Sequence, residues 1–249
     1  MSINSTNQVK EHYQNLLSKY YSWLFGDFDT IIQKNYNFFL SQQIIPVTTM
    51  VAVDLGSGSG FQSIPLAKLG FSVKSIDFDL FLQNELRSKI GSEILNIEIL
   101  NDNILDFKVW AELNPELIVC MGDTLTHLPD IESVNDLIIQ SYNELINNGK
   151  LIVNYRDLTN ELNDKDRFIL VKADKNRIFN CFLEYFPDFV TVYDIINEWD
   201  GTRWTQKISH YEKIKIPADL LKSILLSTGF EIIQLNEEKG FITFICEKI

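Results

Sequence analysis

Apolar side chains recur every three or four positions over residues 8–40, the spacing of amphipathic helices, and no proline interrupts them. Gly26 divides this region into two predicted helices, and Asp29 or Thr30 is the expected cap of the second. The pattern therefore predicts a helical N-terminal extension over residues 1–46.

From residue 47 the pattern alternates between short runs rich in β-branched residues and stretches with helical spacing. Strands that alternate with helices of this length indicate βαβ units and a parallel sheet. We expect residues 47–157 to form this core. The strands are predicted at 50–54, 71–76, 96–100, 116–121 and 150–155, and the helices at 60–69, 80–90 and 131–147.

The pattern changes again after residue 157. Several alternating runs follow without convincing helices between them, which predicts an inserted antiparallel β layer over residues 158–216. A helix and a closing hairpin are expected over residues 217–249. Because no linker-like stretch separates these parts, we predict a single α/β domain over residues 1–249.

The formal charge of the 249-residue chain is −12, from 22 basic and 34 acidic residues. An acidic surface repels phosphate backbones and anionic lipids, so neither nucleic acid nor membrane is an expected partner. No apolar run reaches the roughly 18 residues of a membrane span, and the N-terminus does not resemble a signal peptide. We therefore expect a cytoplasmic protein. Its oligomeric state is left open.

Three cysteines, Cys120, Cys181 and Cys246, lie far apart in apolar runs. This arrangement predicts buried free thiols, as in proteins of a reducing compartment. The three histidines are equally dispersed, so no metal site is expected.

The most informative segment is the glycine loop 56–60, between a predicted buried strand and a helix. Glycines at 56, 58 and 60 allow a ligand to approach the backbone closely, and amides at the start of the helix can face an anion. The dinucleotide fingerprint G-x-G-x-x-G needs its third glycine where this chain has Phe61. The pyrophosphate interpretation is therefore weakened.

The run V-A-V-D-L-G-S-G-S-G at residues 51–60 resembles motif I of class I S-adenosylmethionine-dependent methyltransferases. The resemblance implies S-adenosylmethionine as the cofactor. It also implies a Rossmann-like, seven-stranded, mostly parallel sheet of order 3-2-1-4-5-7-6 with an N-terminal helical lid. The cofactor-binding residues that it implies in this run are Asp54, Gly56, Ser57, Gly58 and Gly60.

The next two predicted strands end in further candidates. Asp77 lies 17 residues after Gly60, where a carboxylate can bind ribose hydroxyls, and Asp79 competes for that role. In the segment 101–106, the family pattern aligns Asn103 with the acidic residue that binds the adenine amine, although Asp102 could serve instead. The neighbouring apolar side chains assigned to the cofactor are Phe78, Ile104 and Met121.

Residues 116–129 form a predicted strand and a polar elbow that resemble the glycine N-methyltransferase-like subgroup. The resemblance implies that Asp123 and His127 act on the acceptor and that Arg156, in a segment like D-H-R, holds an acceptor carboxylate. Two alternatives stay open from the residues alone. Arg156 could instead pair with Asp157 or Glu161 on the surface, and His127 could be a structural residue.

The N-terminal segment 12–23 resembles the helical lid of these small-molecule enzymes. Aromatic rings near a sulfonium provide cation–π stabilisation and exclude water, so Tyr13, Tyr20, Tyr21 and Trp23 are candidates. Tyr20 and Trp23 are assigned to cofactor binding, and Tyr21 is assigned to catalysis together with Asp123 and His127. In the β insertion, Trp204 and His210 either line the acceptor pocket or pack against it.

Together these features predict an S-adenosylmethionine-dependent methyltransferase that transfers a methyl group to a small molecule, an amine or a carboxylate-bearing metabolite. The alternatives are a non-catalytic cofactor-binding module and an NAD(P)-dependent oxidoreductase, which Phe61 disfavours. A nucleic-acid base methyltransferase should carry [DN]-P-P-[YFW] where this chain has M-G-D-T.

Overall fold

The computed structural model describes residues 5–91 and 94–249. Eleven strands lie within these residues, in two sheets. Their bounds are β1 Val51–Leu55, β2 Ser72–Asp77, β3 Ile97–Asn101, β4 Leu117–Cys120, β5 Lys150–Arg156, β6 Phe168–Ala173, β7 Arg177–Tyr185, β8 Phe189–Trp199, β9 Trp204–Ile214, β10 Phe230–Glu238 and β11 Phe241–Lys248.

Seven α-helices are present in the described part of the chain. They are α1 Ser5–His12, α2 Ser18–Phe25, α3 Phe28–Ser41, α4 Ser63–Lys68, α5 Leu80–Ile90, α6 Ile131–Glu144 and α7 Ala218–Thr228. The π-helical turn Tyr13–Leu17 joins α1 to α2, and short 3-10 turns lie at Phe107–Val109, Thr124–His127 and Asp164–Arg167.

The larger sheet has the order β3-β2-β1-β4-β5-β11-β10. All pairs from β3 to β5 are parallel, whereas β11 runs antiparallel to both β5 and β10. The predicted order is 3-2-1-4-5-7-6, and strands 7 and 6 of that prediction correspond to β11 and β10 of the closing hairpin. The predicted Rossmann-like fold is therefore confirmed. The central strands are apolar because helices cover both faces, and Val53, Ile118 and Ile152 are fully buried.

The smaller sheet is antiparallel and has the order β6-β7-β8-β9. Its residues fall within the predicted β insertion, and the turn between β8 and β9 contains Asp200 and Gly201 as expected. The buried residues of β8 include the even-numbered ones between Val190 and Ile196, so this sheet presents one face to the protein and the other to solvent.

The N-terminal helices are joined to the smaller sheet by buried polar contacts. His12 lies between the Ser209 hydroxyl, 2.8 Å from Nδ1, and the Asp194 carboxylate, 2.9 Å from Nε2. Its ring also stacks on Tyr211, with 4.3 Å between the ring centroids. The extension is therefore part of the same packed unit as the inserted sheet.

Several local expectations need correction. The cap of α3 is Asp27, not Asp29 or Thr30, because the Asp27 carboxylate accepts the Thr30 amide at 2.8 Å. The helix expected at 60–69 begins only at Ser63, since the glycine loop continues as turns. Cys181 is only half-buried, on a strand of the smaller sheet, whereas Cys120 and Cys246 are buried.

No helix in the described part of the chain is long and apolar enough to cross a membrane. The same residues contain no cluster of three or more histidine, cysteine or acidic side chains arranged to hold a metal ion.

Candidate functional site

A cavity of about 710 Å³ lies at the carboxyl ends of the central parallel strands. Its floor is the glycine loop after β1, its sides are the segments after β2, β3 and β4, and its roof comes from the N-terminal helices. The end of β5 and the β10–β11 hairpin close the far side. This is the position where open α/β sheets bind ligands.

The glycine loop fits closely between its neighbours. A Cβ on Gly56 would lie 2.4 Å from Thr124 Cγ2, and one on Gly60 would lie 2.3 Å from Leu86 Cδ1. Gly58 is different, because a Cβ there would meet only Leu82 and Tyr21 at 3.7–3.9 Å. All three glycines have a positive φ, a backbone conformation that residues with a side chain rarely adopt. Gly56, Ser57 and Gly58 line the cavity, whereas Gly60 packs beneath it.

Four amides of the glycine loop itself are bound within the protein. The Gly56 and Ser57 amides donate to the Ile76 carbonyl, and the Gly58 amide donates to the Asp77 carboxylate at 2.8 Å. The Gly60 amide donates to the Ser57 carbonyl. These bonds leave the loop as a neutral wall that a ligand can approach closely.

Asp77 ends β2 at the edge of this loop and lines the cavity. One carboxylate oxygen accepts the Gly58 amide, and the other accepts the Asp79 amide at 2.8 Å. Burial raises the pKa of Asp77 to about 6 despite these bonds. Asp79 lies outside the cavity lining, where it caps α5 and accepts the Ser18 hydroxyl.

Asp54 lies beneath the loop and is not one of the described residues that line the cavity. Its carboxylate accepts the Ser63 hydroxyl at 2.5 Å, and burial raises its pKa to about 7. Asp54 therefore joins β1 to the start of α4 and supports the loop from below.

After β3, Asn103 and Ile104 line the cavity, whereas Asp102 does not. The Asp102 carboxylate is exposed and accepts the Asn103 amide at 2.8 Å. The Asn103 side-chain oxygen accepts the Leu105 amide at 3.0 Å. Of the two candidates left open by the sequence, only Asn103 is positioned at the cavity.

The elbow after β4 is built around Asp123, which adopts a left-handed φ of 78°. One carboxylate oxygen accepts the Arg156 amide and the Thr126 hydroxyl, both at 2.9 Å, and the other lies 2.5 Å from Lys213 Nζ. Burial would raise the pKa of Asp123, but the Lys213 charge and these bonds hold it below its usual range. Asp123 is not among the residues that line the cavity, and both of its carboxylate oxygens have partners within the protein.

His127 lines the cavity at the end of this elbow. Its Nδ1 lies 2.9 Å from the Asp123 carbonyl, and its buried Nε2 has no partner among the described residues. The ring stacks on Tyr211 with 5.5 Å between the centroids, and the edge of Tyr13 approaches it at 5.8 Å. Burial, together with the Lys213 charge, lowers the pKa of His127 to about 3.

An aromatic wall runs from the N-terminal helices to the glycine loop. Tyr21 stacks on Phe61 at 6.0 Å between the centroids, and the ring edge of Tyr13 meets Phe78 at 6.0 Å. These four rings all line the cavity, as does Met121. Phe61 therefore fills the place where a dinucleotide fingerprint would have glycine.

Four sequence candidates lie elsewhere in the described structure. The Tyr20 hydroxyl donates to Glu198 at 3.0 Å, and the Trp23 ring nitrogen donates to Asp174 at 2.8 Å, so both side chains turn towards the smaller sheet. The other two lie on the solvent side of the smaller sheet. Trp204 is half-exposed beside the turn that contains Asp200. His210 is exposed and stacks on Tyr193, on the face of the sheet opposite Tyr211.

Arg156 lines the cavity from the end of β5, with its guanidinium 4.3 Å from the centroid of the Phe241 ring. No carboxylate in the described residues forms an ion pair with it. Asp157 instead caps the Thr159 amide, and Glu161 pairs with Lys215. The surface-pair alternative for Arg156 is therefore not what the structure shows.

Sequence reasoning missed Lys213 and Tyr211, which bring the inserted sheet to the elbow. Both side chains lie on the same face of β9, two positions apart. Ile214 on the opposite face is also buried, so buried and exposed positions do not alternate regularly at the end of this strand. The pattern of apolar and polar positions therefore did not indicate them. Sequence reasoning also missed Lys34 of α3 and Lys239 of the closing hairpin, which line the cavity; Lys239 lies 3.7 Å from Glu238, a further lining residue.

No protein-family model matches the chain, and no curated protein matches its sequence. Solved structures do resemble it. An S-adenosylmethionine-dependent methyltransferase from Clostridium acetobutylicum is 15% identical, with 98% of each chain covered and a TM-score of 0.73. CalS10, an amino pentose methyltransferase from Micromonospora echinaspora, is 10% identical over 90% of this chain and 92% of that chain, with a TM-score of 0.71. The sugar N-methyltransferase KedS8 from Streptoalloteichus is 11% identical over 90% and 89%, with a TM-score of 0.68. At these identities the likeness shows the fold.

Proposed function

We propose that the protein is an S-adenosylmethionine-dependent methyltransferase acting on a small molecule. The observation that carries this proposal is the pairing of Asp77 with the Gly58 amide at the edge of a large cavity. This cavity occupies the ligand-binding edge of the sheet, and two structures of the same fold are described as methyltransferases, CalS10 with S-adenosylmethionine bound.

The cavity has the features that this cofactor needs. We assign the ribose to the Asp77 carboxylate, the adenine to Asn103 and Ile104, and the methionine end to the open side of Gly58 beneath Tyr21. The buried Ser57 hydroxyl has no partner in the described residues and is a further contact for the cofactor. Remaining members of the proposed set are Gly56, Phe78 and Met121, with Asp54 and Gly60 shaping the loop from below.

S-Adenosylmethionine supplies an already activated methyl group, so the chain must mainly align the acceptor and exclude water. Alignment of this kind can lower the barrier by about 7–11 kcal/mol. Tyr13, Tyr21 and Phe78 provide an apolar, electron-rich wall that suits a positive sulfonium and keeps water away from it. Tyr21 lies beside the glycine loop, and its hydroxyl would be 3.9 Å from a Cβ on Gly58.

For the acceptor we propose a small amine that also carries a carboxylate. Arg156 has no carboxylate partner in the described residues and faces the cavity, so its planar guanidinium can bind an acidic group of the acceptor. CalS10 and KedS8 are described as methyltransferases of an amino pentose and of a sugar nitrogen, which supports an amine. We place the reaction in the cytoplasm, in keeping with three free cysteines.

The deciding experiment is calorimetric titration with S-adenosylmethionine and S-adenosylhomocysteine, with NADH and NADPH as contrasts. We expect a micromolar Kd for the first two, about −8 kcal/mol, and no heat from the nicotinamides. Mass spectrometry after incubation with a panel of amino acids, amino sugars and other amines should then show a product heavier by one methyl group. Binding of NADPH without S-adenosylmethionine would overturn the proposal. Cofactor binding without any methylated product would favour a non-catalytic module.

A further inference from the structure

One buried cation connects the inserted sheet to the elbow after β4. Lys213 Nζ lies 2.5 Å from Asp123 Oδ2, and only 12% and 9% of the two side chains are exposed. A buried ion pair is stable only when the remaining lone pairs are also satisfied. Here the Arg156 amide and the Thr126 hydroxyl bind the other oxygen, so Asp123 is held from three sides.

Asp123 in turn determines where His127 carries its proton. A carbonyl oxygen only accepts hydrogen bonds, so in the 2.9 Å contact with the Asp123 carbonyl it is Nδ1 of His127 that carries the hydrogen. This leaves Nε2 with a free lone pair, and that atom is buried without a partner among residues 5–91 and 94–249. An unpaired buried acceptor is costly, which points to a donor that arrives with a ligand.

We propose that Lys213 is a positioning residue of the acceptor site: its ion pair with Asp123 fixes the elbow so that His127 presents Nε2 as a neutral hydrogen-bond acceptor. This inference rests on the proposed function and names the reacting group, an amine or a hydroxyl that donates to Nε2. Since Lys213 neutralises Asp123, the elbow wall offers no free carboxylate within the described residues to hold an amine protonated.

The groups that face His127 come from three parts of the fold, and some raise the pKa of its ring while others lower it. Burial is the largest influence, and with the charge of Lys213 it lowers the pKa of His127 to about 3, whereas Asp123 opposes this change. His127 is therefore neutral throughout the physiological range. The facing groups are His12 and Tyr13 of the N-terminal helices, Asp123 of the elbow, and Tyr211 and Lys213 of β9.

The test is an NMR titration of the His127 ring in the cofactor-free protein, following its carbon and nitrogen shifts against pH. The parent should show hydrogen on Nδ1 and no protonation down to about pH 5. In Lys213→Met the midpoint should rise by about 1–3 pH units, because the Asp123 charge is then uncompensated. Lys213→Arg should restore the parent behaviour. Lys215→Met is the matched control, because it removes a neighbouring ion pair just beyond the same strand without touching the elbow.

An unchanged titration in folded Lys213→Met, or hydrogen on Nε2 in the parent, would overturn the inference. If Lys213→Met does not fold, Lys213→Gln takes its place, because glutamine keeps a donor beside Asp123 but removes the charge. The midpoint should rise there too, and an unchanged midpoint in folded Lys213→Gln would equally overturn the inference. Because this titration needs no cofactor, its result can be distinguished from a failure of the proposed function, in which the protein would not bind S-adenosylmethionine. When an acceptor is found, methylation only at carbon or at a carboxylate would contradict the predicted reacting group.

Discussion

The Asp77 carboxylate and the Gly58 amide are joined by a 2.8 Å hydrogen bond where the end of β2 meets the glycine loop. The bond fixes the loop and holds a buried carboxylate at the cavity edge at the same time. Substitution by asparagine can separate the support of the loop from the charge at the cavity edge. Asparagine keeps an oxygen that can accept the Gly58 amide, but it has no negative charge.

We predict that Asp77→Ala binds S-adenosylmethionine roughly 10- to 100-fold more weakly than the parent. Hydrogen bonds to a charged group contribute about 1.5–3 kcal/mol each, and the ribose would lose them. Calorimetry measures the affinity, with Asp136→Ala on α6, outside the cavity lining, as the control. Equal affinity in Asp77→Ala and the parent would remove the ribose assignment.

The affinity for S-adenosylmethionine should also depend on pH through Asp77. Burial raises the pKa of this carboxyl group to about 6, so it is protonated in the free protein below that pH. The charged form is the one that accepts ribose hydroxyls, so the affinity should be constant above about pH 7. Below pH 6 it should fall, by at most tenfold per pH unit. Asp77→Asn should give weaker binding with a flat profile, and an equal slope in that variant would assign the proton to another group.

The two candidates after β3 should behave differently. Asn103→Ala should weaken cofactor binding about 5- to 30-fold, since a neutral hydrogen bond and its desolvated partner contribute roughly 1–2 kcal/mol. Asp102→Ala, which changes an exposed carboxylate outside the cavity lining, should bind as the parent does. The reverse order of affinities would move the adenine to Asp102.

Arg156→Met should separate the acceptor from the cofactor. Methionine keeps much of the apolar contact with Phe241 but loses the charge, so S-adenosylmethionine affinity should persist. The kcat/KM for acceptors with a carboxylate should fall about 10- to 100-fold, in line with the loss of a charge-assisted hydrogen bond. Steady-state kinetics with an acidic acceptor and its amide analogue tests this. The same loss for both acceptors would show that Arg156 does not bind the carboxylate.

A pair of glycine substitutions tests the packing of the loop. Gly60→Ala and Gly201→Ala both place a Cβ at positive φ, which costs about 1–2 kcal/mol. At Gly201 the Cβ meets nothing within 4 Å, whereas at Gly60 it lies 2.3 Å from Leu86. Overpacking adds about 1–3 kcal/mol, so Gly60→Ala should lose clearly more stability in urea unfolding. Equal losses would mean that α5 moves away without cost.

The parallel core could be predicted from the sequence because each of its strands is an apolar run followed by a turn or a helical pattern. Glycines 56, 58 and 60 and the carboxylate at Asp77 are enough to locate the ligand-binding edge of the sheet. These signals are local, since each lies within one strand and the turn after it.

The acceptor side could not be predicted in the same way, because its contacts join residues far apart in the chain. Asp123 looks like a free carboxylate until Lys213, ninety positions later, is brought against it. Tyr20 and Tyr21 are adjacent and chemically alike, yet only Tyr21 lines the cavity. The π-helical turn at Tyr13–Leu17 shifts the helical register, so helical spacing alone does not indicate which ring faces which side.

The buried bonds from His12 to Ser209 and Asp194 tie the first helix of the chain to strands nearly two hundred residues later. The two segments should therefore open and refold as one cooperative unit, with little independent fraying of the first helix. Grafting the inserted sheet of another protein of this fold onto this chain would then require its first helix to be transferred as well.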